Sequence, residues 1–214
     1  AAAATDVGGG GGDGEDSADA SDAEYLSDAA FEPGAFLSTT SFSVILDAEP
    51  IDVREPLRFF RSYFVDGTFT RKYRAERGDS ELEVGVWKPH TTLHMVRELT
   101  YRSPVKATIG PSSTRVAETQ RYHISKRCFT LESLQMFLDV PYSDYFRVEQ
   151  RWQVVGARPG PCKLTVECGV HFVKSTMFRG KIVSGTLAEI KEGTLLWLRM
   201  AREHAAVRRS HSST

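Results

Sequence analysis

The 214 residues carry 28 acidic and 27 basic side chains, but nine of the acids (Asp6, Asp13, Glu15, Asp16, Asp19, Asp22, Glu24, Asp28 and Glu32) precede Gly34, where no cation occurs. Setting those nine aside leaves 19 acids against 27 cations, a basic body of about +8 suited to an anionic surface, lipid headgroups or nucleic acid, with the leader as an internal competitor. There is no apolar run of about 18 residues to span a bilayer, no apolar core of a signal peptide and no even set of cysteines; Cys128, Cys162 and Cys168 form no Cys-x-x-Cys motif and suit a reducing compartment.

Residues 1–37 are alanine, glycine and acid, including the run Gly8–Gly12, and are expected to form a disordered leader, because such a stretch does not offset its ordering entropy. The expected domain covers 38–205, and 206–214 is expected to be a flexible tail. Phe42, Val44 and Leu46 alternate with polar neighbours and predict a first strand ending near Pro50. Pro56–Phe64, opened by a proline permitted in a first turn, and Phe69–Arg77 predict two short helices. Here Arg54, Arg58, Arg61, Arg71, Lys72, Arg74 and Arg77 cluster. A solvated helical face is the plain reading and a headgroup contact the next. Nucleic acid is disfavoured, since no RNA-recognition or zinc-finger spacing accompanies the cluster.

From Glu81 the period becomes two. Leu82, Val84 and Val86 predict one half-buried strand, and after the Lys88–His90 turn Leu93, Met95, Leu99 and Tyr101 predict the next. A loop of turn-formers, Ser103–Ser112, leads to strands over Ser113–Ser125, Cys128–Val140, Tyr145–Val155 and Cys162–Val173. Phe146, Val148, Gln150, Trp152 and Val154 share one face, as do Leu164, Val166, Cys168, Val170 and Phe172, while Lys163, Glu167 and His171 oppose them; one side of the sheet is expected to meet water. After Val173, Val183, Leu187, Ile190, Thr194, Trp197 and Ala201 fall on one stripe of a helix over Met177–Glu203, about 40 Å long. Gly180, Gly185 and Gly193 weaken it by up to about 1 kcal/mol each and suggest close approach to the sheet or local give.

Catalytic signatures are missing: no phosphate loop, no Gly-x-Ser-x-Gly elbow, no His-Glu-x-x-His site, and no paired acid and base at matching strand positions. The histidines His90, His94, His123, His171, His204 and His211 are scattered, so no metal site is expected. The order is strand, two short helices, a meander and one long helix. It predicts an α+β helix-grip fold, a curved antiparallel sheet of about seven strands gripping the C-terminal helix. Such a grip can leave an apolar hollow for a small lipid.

Phe59-Phe-Arg-Ser-Tyr-Phe64, Val86-Trp-Lys-Pro89, Arg97-Glu-Leu-Thr-Tyr101 with Ile109-Gly-Pro111, Val116-Ala-Glu-Thr-Gln120 and Phe178-Arg-Gly-Lys-Ile-Val-Ser-Gly185 resemble, in order and spacing, the VASt domain. This lipid-transfer module, similar to StAR-related domains, accompanies GRAM domains in the Lam/Ysp and Aster proteins and in plant relatives. The resemblance covers about Ser38–Glu203 and implies a START-like cavity, a sterol or similar lipid as ligand, no other cofactor, and transfer between the endoplasmic reticulum and another membrane. It also implies a monomeric domain on the cytosolic face of membranes, tethered through regions beyond this chain.

Together with the alternation, the resemblance sets the expected cavity lining as Val84, Val86, Leu99, Tyr101, Gln120, Tyr122, Val148, Gln150, Trp152, Val166, Val170, Phe172, Val183, Leu187 and Ile190, closed by Trp197. Gln120, Tyr122 and Gln150 are the candidates to meet a lipid hydroxyl. Pro104, Val105, Lys106, Ile109, Gly110 and Pro111 form the expected entrance loop, with Lys106 free to reach a phosphate. The alternatives are a membrane-recruited interaction or lipid-sensing module without transfer and, less favoured, an enzyme in a START-like cavity.

Overall fold

Period-two patterning becomes strand pairing through most of the chain. The elements are β1 (Ser43–Pro50), α1 (Pro56–Tyr63), α2 (Thr68–Glu76), β2 (Ser80–Val84), β3 (Lys88–His90), β4 (His94–Pro104), β5 (Ser113–Ile124), β6 (Cys128–Phe137), a short 3-10 turn (Ser143–Tyr145), β7 (Phe146–Val155), β8 (Lys163–Phe172) and α3 (Arg179–Ser212). They come from a computed structural model that describes residues 25–27, 32, 35–106, 111–157 and 159–212; most of the leader, and Ile109 and Gly110 of the entrance loop, lie outside these. The sheet is antiparallel in the order β1-β8-β7-β6-β5-β4-β2, with β3 paired to β4. It thus has eight strands rather than about seven, the Lys88–His90 turn supplying the extra one.

The register fixes which residues face α3. Leu99↔Glu118, Tyr101↔Val116, Gln120↔Ser133, Tyr122↔Leu131, Gln150↔Cys168 and Trp152↔Val166 are cross-strand partners, so the inward face holds alternate residues of every central strand. Four aromatics from α1 and the turn after it (Phe59, Phe60, Tyr63, Phe64) lie buried against this face. Trp197 of α3 stands among them, 5.1 Å from Tyr63, 5.7 Å from Phe59 and 5.0 Å from Trp152 between ring centroids. Burying rings of this size drives α1 and α3 onto the sheet.

Four expectations are corrected. The helix runs to Ser212, 34 residues and about 51 Å, so residues 206–212 continue α3 instead of forming a tail. Basic side chains of this extension reach back to the body: Arg208 Nη1 donates to Ser62 Oγ at 2.9 Å and Arg209 pairs with Asp52. Val86 is 69 % exposed, because the chain turns away at Gly85, whose N–H bonds Glu98 O at 2.8 Å. In β1 the pairing with β8 slips between Val44 and Leu46, leaving Val44 exposed while Ile45 joins the core.

The fourth correction concerns the leader and the side of the sheet expected to be wet. Tyr25 and Leu26 pack on the core, Tyr25 lies 5.6 Å from Phe60, and Ser27 N–H donates to Ile124 O at 2.9 Å. Residues 35–42 then cross the outer face of the sheet, where Leu37 is buried. Beneath them Arg121, Glu132, Arg151 and Glu167 alternate in charge across β5, β6, β7 and β8. Phe36 lies 5.5 Å over Arg121 and Phe42 4.8 Å over Arg151. The buried Glu149 carboxylate accepts Ser38 N–H at 3.0 Å and Thr39 N–H at 2.7 Å. Gly169 permits this crossing, since a Cβ there would stand 2.5 Å from Thr39 Cγ2. Charged side chains alternating on a strand read as solvated, yet they are covered where each finds an opposite partner.

Candidate functional site

Between the inward sheet face, α2 and α3 lies a cavity of about 90 Å³. Its lining mixes rings (Phe64, Tyr73, Tyr101, Phe137, Trp152, Trp197) with polar side chains from every surrounding element: Thr70 and Arg74 from α2 and Arg77 at its C-terminal cap, Ser103 from β4, Glu118 and Gln120 from β5, Ser133 and Gln135 from β6, Gln150 from β7, and Thr186, Glu189 and Thr194 from α3. Of the expected lining, Tyr101, Gln120, Gln150, Trp152 and Ile190 are brought together here, with Trp197 closing one side.

The rest fall elsewhere. Tyr122 and Val166 belong to the main aromatic core, where the Tyr122 ring lies tilted 4.4 Å from Phe60. Leu99 and Val84 share a small cluster with Val116, and Val148 sits in another with Phe146 and Cys168. Val170, Phe172, Val183 and Leu187 line a separate open groove of about 460 Å³ between residues 38–43, the end of β8 and the first turns of α3. Val86 points to solvent. The period-two rule gave the face correctly at most of these positions but not the depth, because aromatic residues from α1 fill most of the hollow.

Glu118 organises the polar wall. Its Oε2 accepts from Arg74 Nη2 at 2.5 Å, Tyr101 Oη at 3.0 Å and Gln135 Nε2 at 3.1 Å, and its Oε1 accepts from Gln120 Nε2 at 2.6 Å. Arg74 also donates to Asp79 and lies 3.9 Å over the Tyr101 ring; its Nε and Asp79 Oδ1 find no partner among the described residues. Burial works to lower the Arg74 guanidinium, but the Glu118 and Asp79 carboxylates beside it oppose this, and the group is held above its ordinary value. Burial pushes the Tyr101 phenol well up, so it stays a neutral donor.

Arg97 bonds Gln120 Oε1 at 2.8 Å and Phe64 O at 3.0 Å, tying the end of α1 to the sheet. Burial, with Arg74 nearby, brings its guanidinium down to about 10, still charged at neutral pH. Gln120 is therefore engaged on both ends of its amide, whereas Gln150 accepts through its oxygen from Trp152 Nε1 at 3.3 Å. Arg74, expected on a solvated face, is buried, and Arg77 is half-buried and reaches Glu189 of α3 at 3.0 Å. The missed residues carried a signal: Glu118 is in phase with Val116 and Gln120, and Ser133 and Gln135 with Leu131 and Phe137, so the alternation places all three inside.

At the entrance loop, Val105 N–H donates to Ser112 O at 2.8 Å where β4 passes to β5. Lys106 does not project freely as expected, because its Nζ contacts both carboxylate oxygens of Glu192 on α3, at 2.6 and 2.7 Å. Pro104 ends β4 and Pro111 precedes β5. Among the described residues no group of three or more His, Cys, Asp or Glu is placed to hold a metal ion, and no helix is long and apolar enough to cross a membrane. Burial pushes the Cys162 thiol up to about 11 and Cys168 to about 12, as inert core thiols.

A family profile described as the VAD1 Analog of StAR-related lipid transfer domain, VASt, matches residues 54–189. The chain is 34 % identical over 172 residues to Protein VASCULAR ASSOCIATED DEATH 1, chloroplastic, of Arabidopsis thaliana, covering 77 % of this chain and 28 % of that protein. It is 26 % identical over 121 residues to human Protein Aster-A, covering 55 % of this chain and 17 % of that protein. The chain thus spans less than a third of the length of these relatives. A solved structure, the Mll3558 protein of Rhizobium loti, aligns with 74 % of this chain and 96 % of its own at 14 % identity and a TM-score of 0.39.

Proposed function

The chain belongs to the VASt family of StAR-related lipid transfer domains, and from that premise we propose that it binds one lipid molecule, a sterol or a ligand of similar shape, beneath α3 and passes it between membranes. No covalent step is involved, and the setting is the cytosolic face of membranes at contacts with the endoplasmic reticulum. The observation that carries the reading is the polar wall inside the grip. Gln120, Ser133, Gln135, Gln150 and Thr194 are all buried on the face that α3 covers. A buried polar group left without a partner costs roughly 1–3 kcal/mol, so a core that served packing alone would favour apolar residues here. A ligand with an apolar skeleton and one hydroxyl suits rings on one side and an amide such as that of Gln150 on the other.

At about 90 Å³ the cavity is well below the roughly 300–1,000 Å³ of ligand pockets, so loading requires an opening. The first turns of α3 are the place to open, since Ile182, Val183, Thr186 and Leu187 are only half-buried while Thr194, Trp197, Leu198 and Ala201 are buried. Ile190→Trp is expected to abolish uptake of sterol delivered from cyclodextrin while changing the unfolding free energy by less than the roughly 1–3 kcal/mol of an overpacked solid core. Wild-type uptake in that variant rejects the cavity.

In the same reading the loop around Lys106 gates entry. Joining Lys106→Cys to Glu192→Cys with a short bismaleimide, in a Cys128→Ser background, should slow sterol transfer between vesicles severalfold and leave the melting temperature unchanged. Equal rates with and without the cross-link remove the gate. The small volume favours one second reading, a membrane-recruited sensing module that binds without transferring; sterol bound from cyclodextrin but never delivered to acceptor vesicles would select it.

A further inference from the structure

Five of the ten exposed large hydrophobic side chains among the described residues sit at one end of the molecule: Leu138, Tyr142, Val173, Met177 and Phe178. The register explains why they converge. Val116↔Phe137 and Phe146↔Phe172 are cross-strand partners, so the end of β6, the start of β7, the end of β8 and the start of α3 share one edge, which also holds the loop after β4. The two segments touch: Val173 N–H donates to Tyr145 O at 2.9 Å, and the Tyr142 and Phe178 rings lie 5.2 Å apart. Met177 is 91 % exposed, and Tyr142 holds a left-handed backbone with φ of 63°, a conformation that costs a bulky residue energy.

Cations surround the apolar tip. Lys174 pairs with Asp144 and lies over the Tyr145 ring, Arg179 stands 4.4 Å over Phe172, and Lys181 is exposed on the first turn of α3. A methionine and aromatics leading, with lysine and arginine behind them, match the acyl boundary and the phosphate layer of a bilayer in depth and in charge. We propose that this tip, with Met177 and Phe178 foremost, is where the domain docks on an anionic membrane. The proposal rests on the lipid-handling reading and adds the docking surface, which lies beside the first turns of α3, the turns that must yield for loading.

The test uses the full chain and sedimentation with vesicles of phosphatidylcholine alone or mixed with phosphatidylserine. Binding to the mixed vesicles should fall about tenfold in Met177→Ser/Phe178→Ser, and Arg179→Gln/Lys181→Gln should remove the preference for phosphatidylserine. Sterol uptake from cyclodextrin, which needs no membrane, should be unchanged in both variants. Vesicle binding within twofold of wild type in Met177→Ser/Phe178→Ser overturns the proposal, as does a wild-type chain that binds neither vesicle. A wild-type dimer in light scattering that becomes monomeric in that variant also overturns it, because the patch would then be a self-association surface. If uptake from cyclodextrin fails in the wild type while vesicle binding still depends on the tip, the docking surface stands and the transfer reading falls.

Discussion

Glu118 is a carboxylate inside a lipid-transfer fold, and its surroundings explain why it is tolerated there. One guanidinium, one phenol and two amides satisfy both oxygens, and Arg74 supplies the opposite charge at 2.5 Å. Removing either ion alone leaves the other buried without compensation. Arg74→Met is therefore expected to lower the unfolding free energy in urea by about 3–5 kcal/mol, and adding Glu118→Gln to recover part of that loss. A loss below about 1 kcal/mol would mean that water reaches the pair and that the cavity is wider than its static volume. Sequence gave only half of this: strand phase puts Glu118 inside, but Arg74 lies on a helix rich in arginine, where nothing in the spacing separates the buried cation from exposed ones such as Arg71. The partner that decides is 44 residues away.

At the level of elements, strands were more legible than the surfaces covering them. The alternation in β7 and β8 sorted their residues correctly between the inward and outward faces, since every residue there pairs in register. What it did not foretell is that residues 35–42 cover the outer face, because a segment of Phe, Ser and Thr carries no periodic signal. In α3 the expected stripe holds from Ile190 to Ala201 and loosens toward the start. Its glycines divide the same way. A Cβ at Gly193 would stand 2.1 Å from Arg77 Nη1 and 2.9 Å from Tyr73 Oη, so that glycine admits α2, not the sheet; at Gly180 and Gly185 a Cβ meets nothing within 4 Å. Gly185→Ala should therefore raise stability by up to about 1 kcal/mol through helix propensity, read as a higher melting temperature. Gly193→Ala should gain less or lose, because Arg77 must leave Glu189. If lipid loading needs the first turns of α3 to yield, Gly185→Ala should also slow uptake.

For the whole molecule, the leader is where composition misled most. A stretch of glycine and acid lacks the apolar content to pack, yet Tyr25 and Leu26 stand on the core, and two apolar side chains in an acidic run are too few to register in any window average. Comparing chains that begin at Tyr25 and at Asp28 isolates them: the shorter chain should be less stable by about 1–3 kcal/mol. Starting at Tyr25 also removes seven carboxylates, so at low salt that chain should bind phosphatidylserine vesicles more tightly than the full one, a gain that disappears as salt screens it. Equal binding by both chains would discard the leader as a competitor.

The contacts of Ser27 with Ile124 and of Arg209 with Asp52 place both ends of the folded body at the pole opposite Met177. A polypeptide joined after α3 therefore leaves from the pole far from the tip, about 51 Å away along that helix. A body held this way is on a leash. If that leash is anchored in one membrane, the proposed docking tip faces the opposite one without the body turning. To touch the membrane that anchors it, it must turn over, and the leash must then span its long axis, about 15 residues even when fully extended. If the domain passes lipid between membranes as proposed, leash length sets whether it visits both or only the far one, and shortening an attached linker below that span should stop pickup from the anchoring side while sparing delivery to the other.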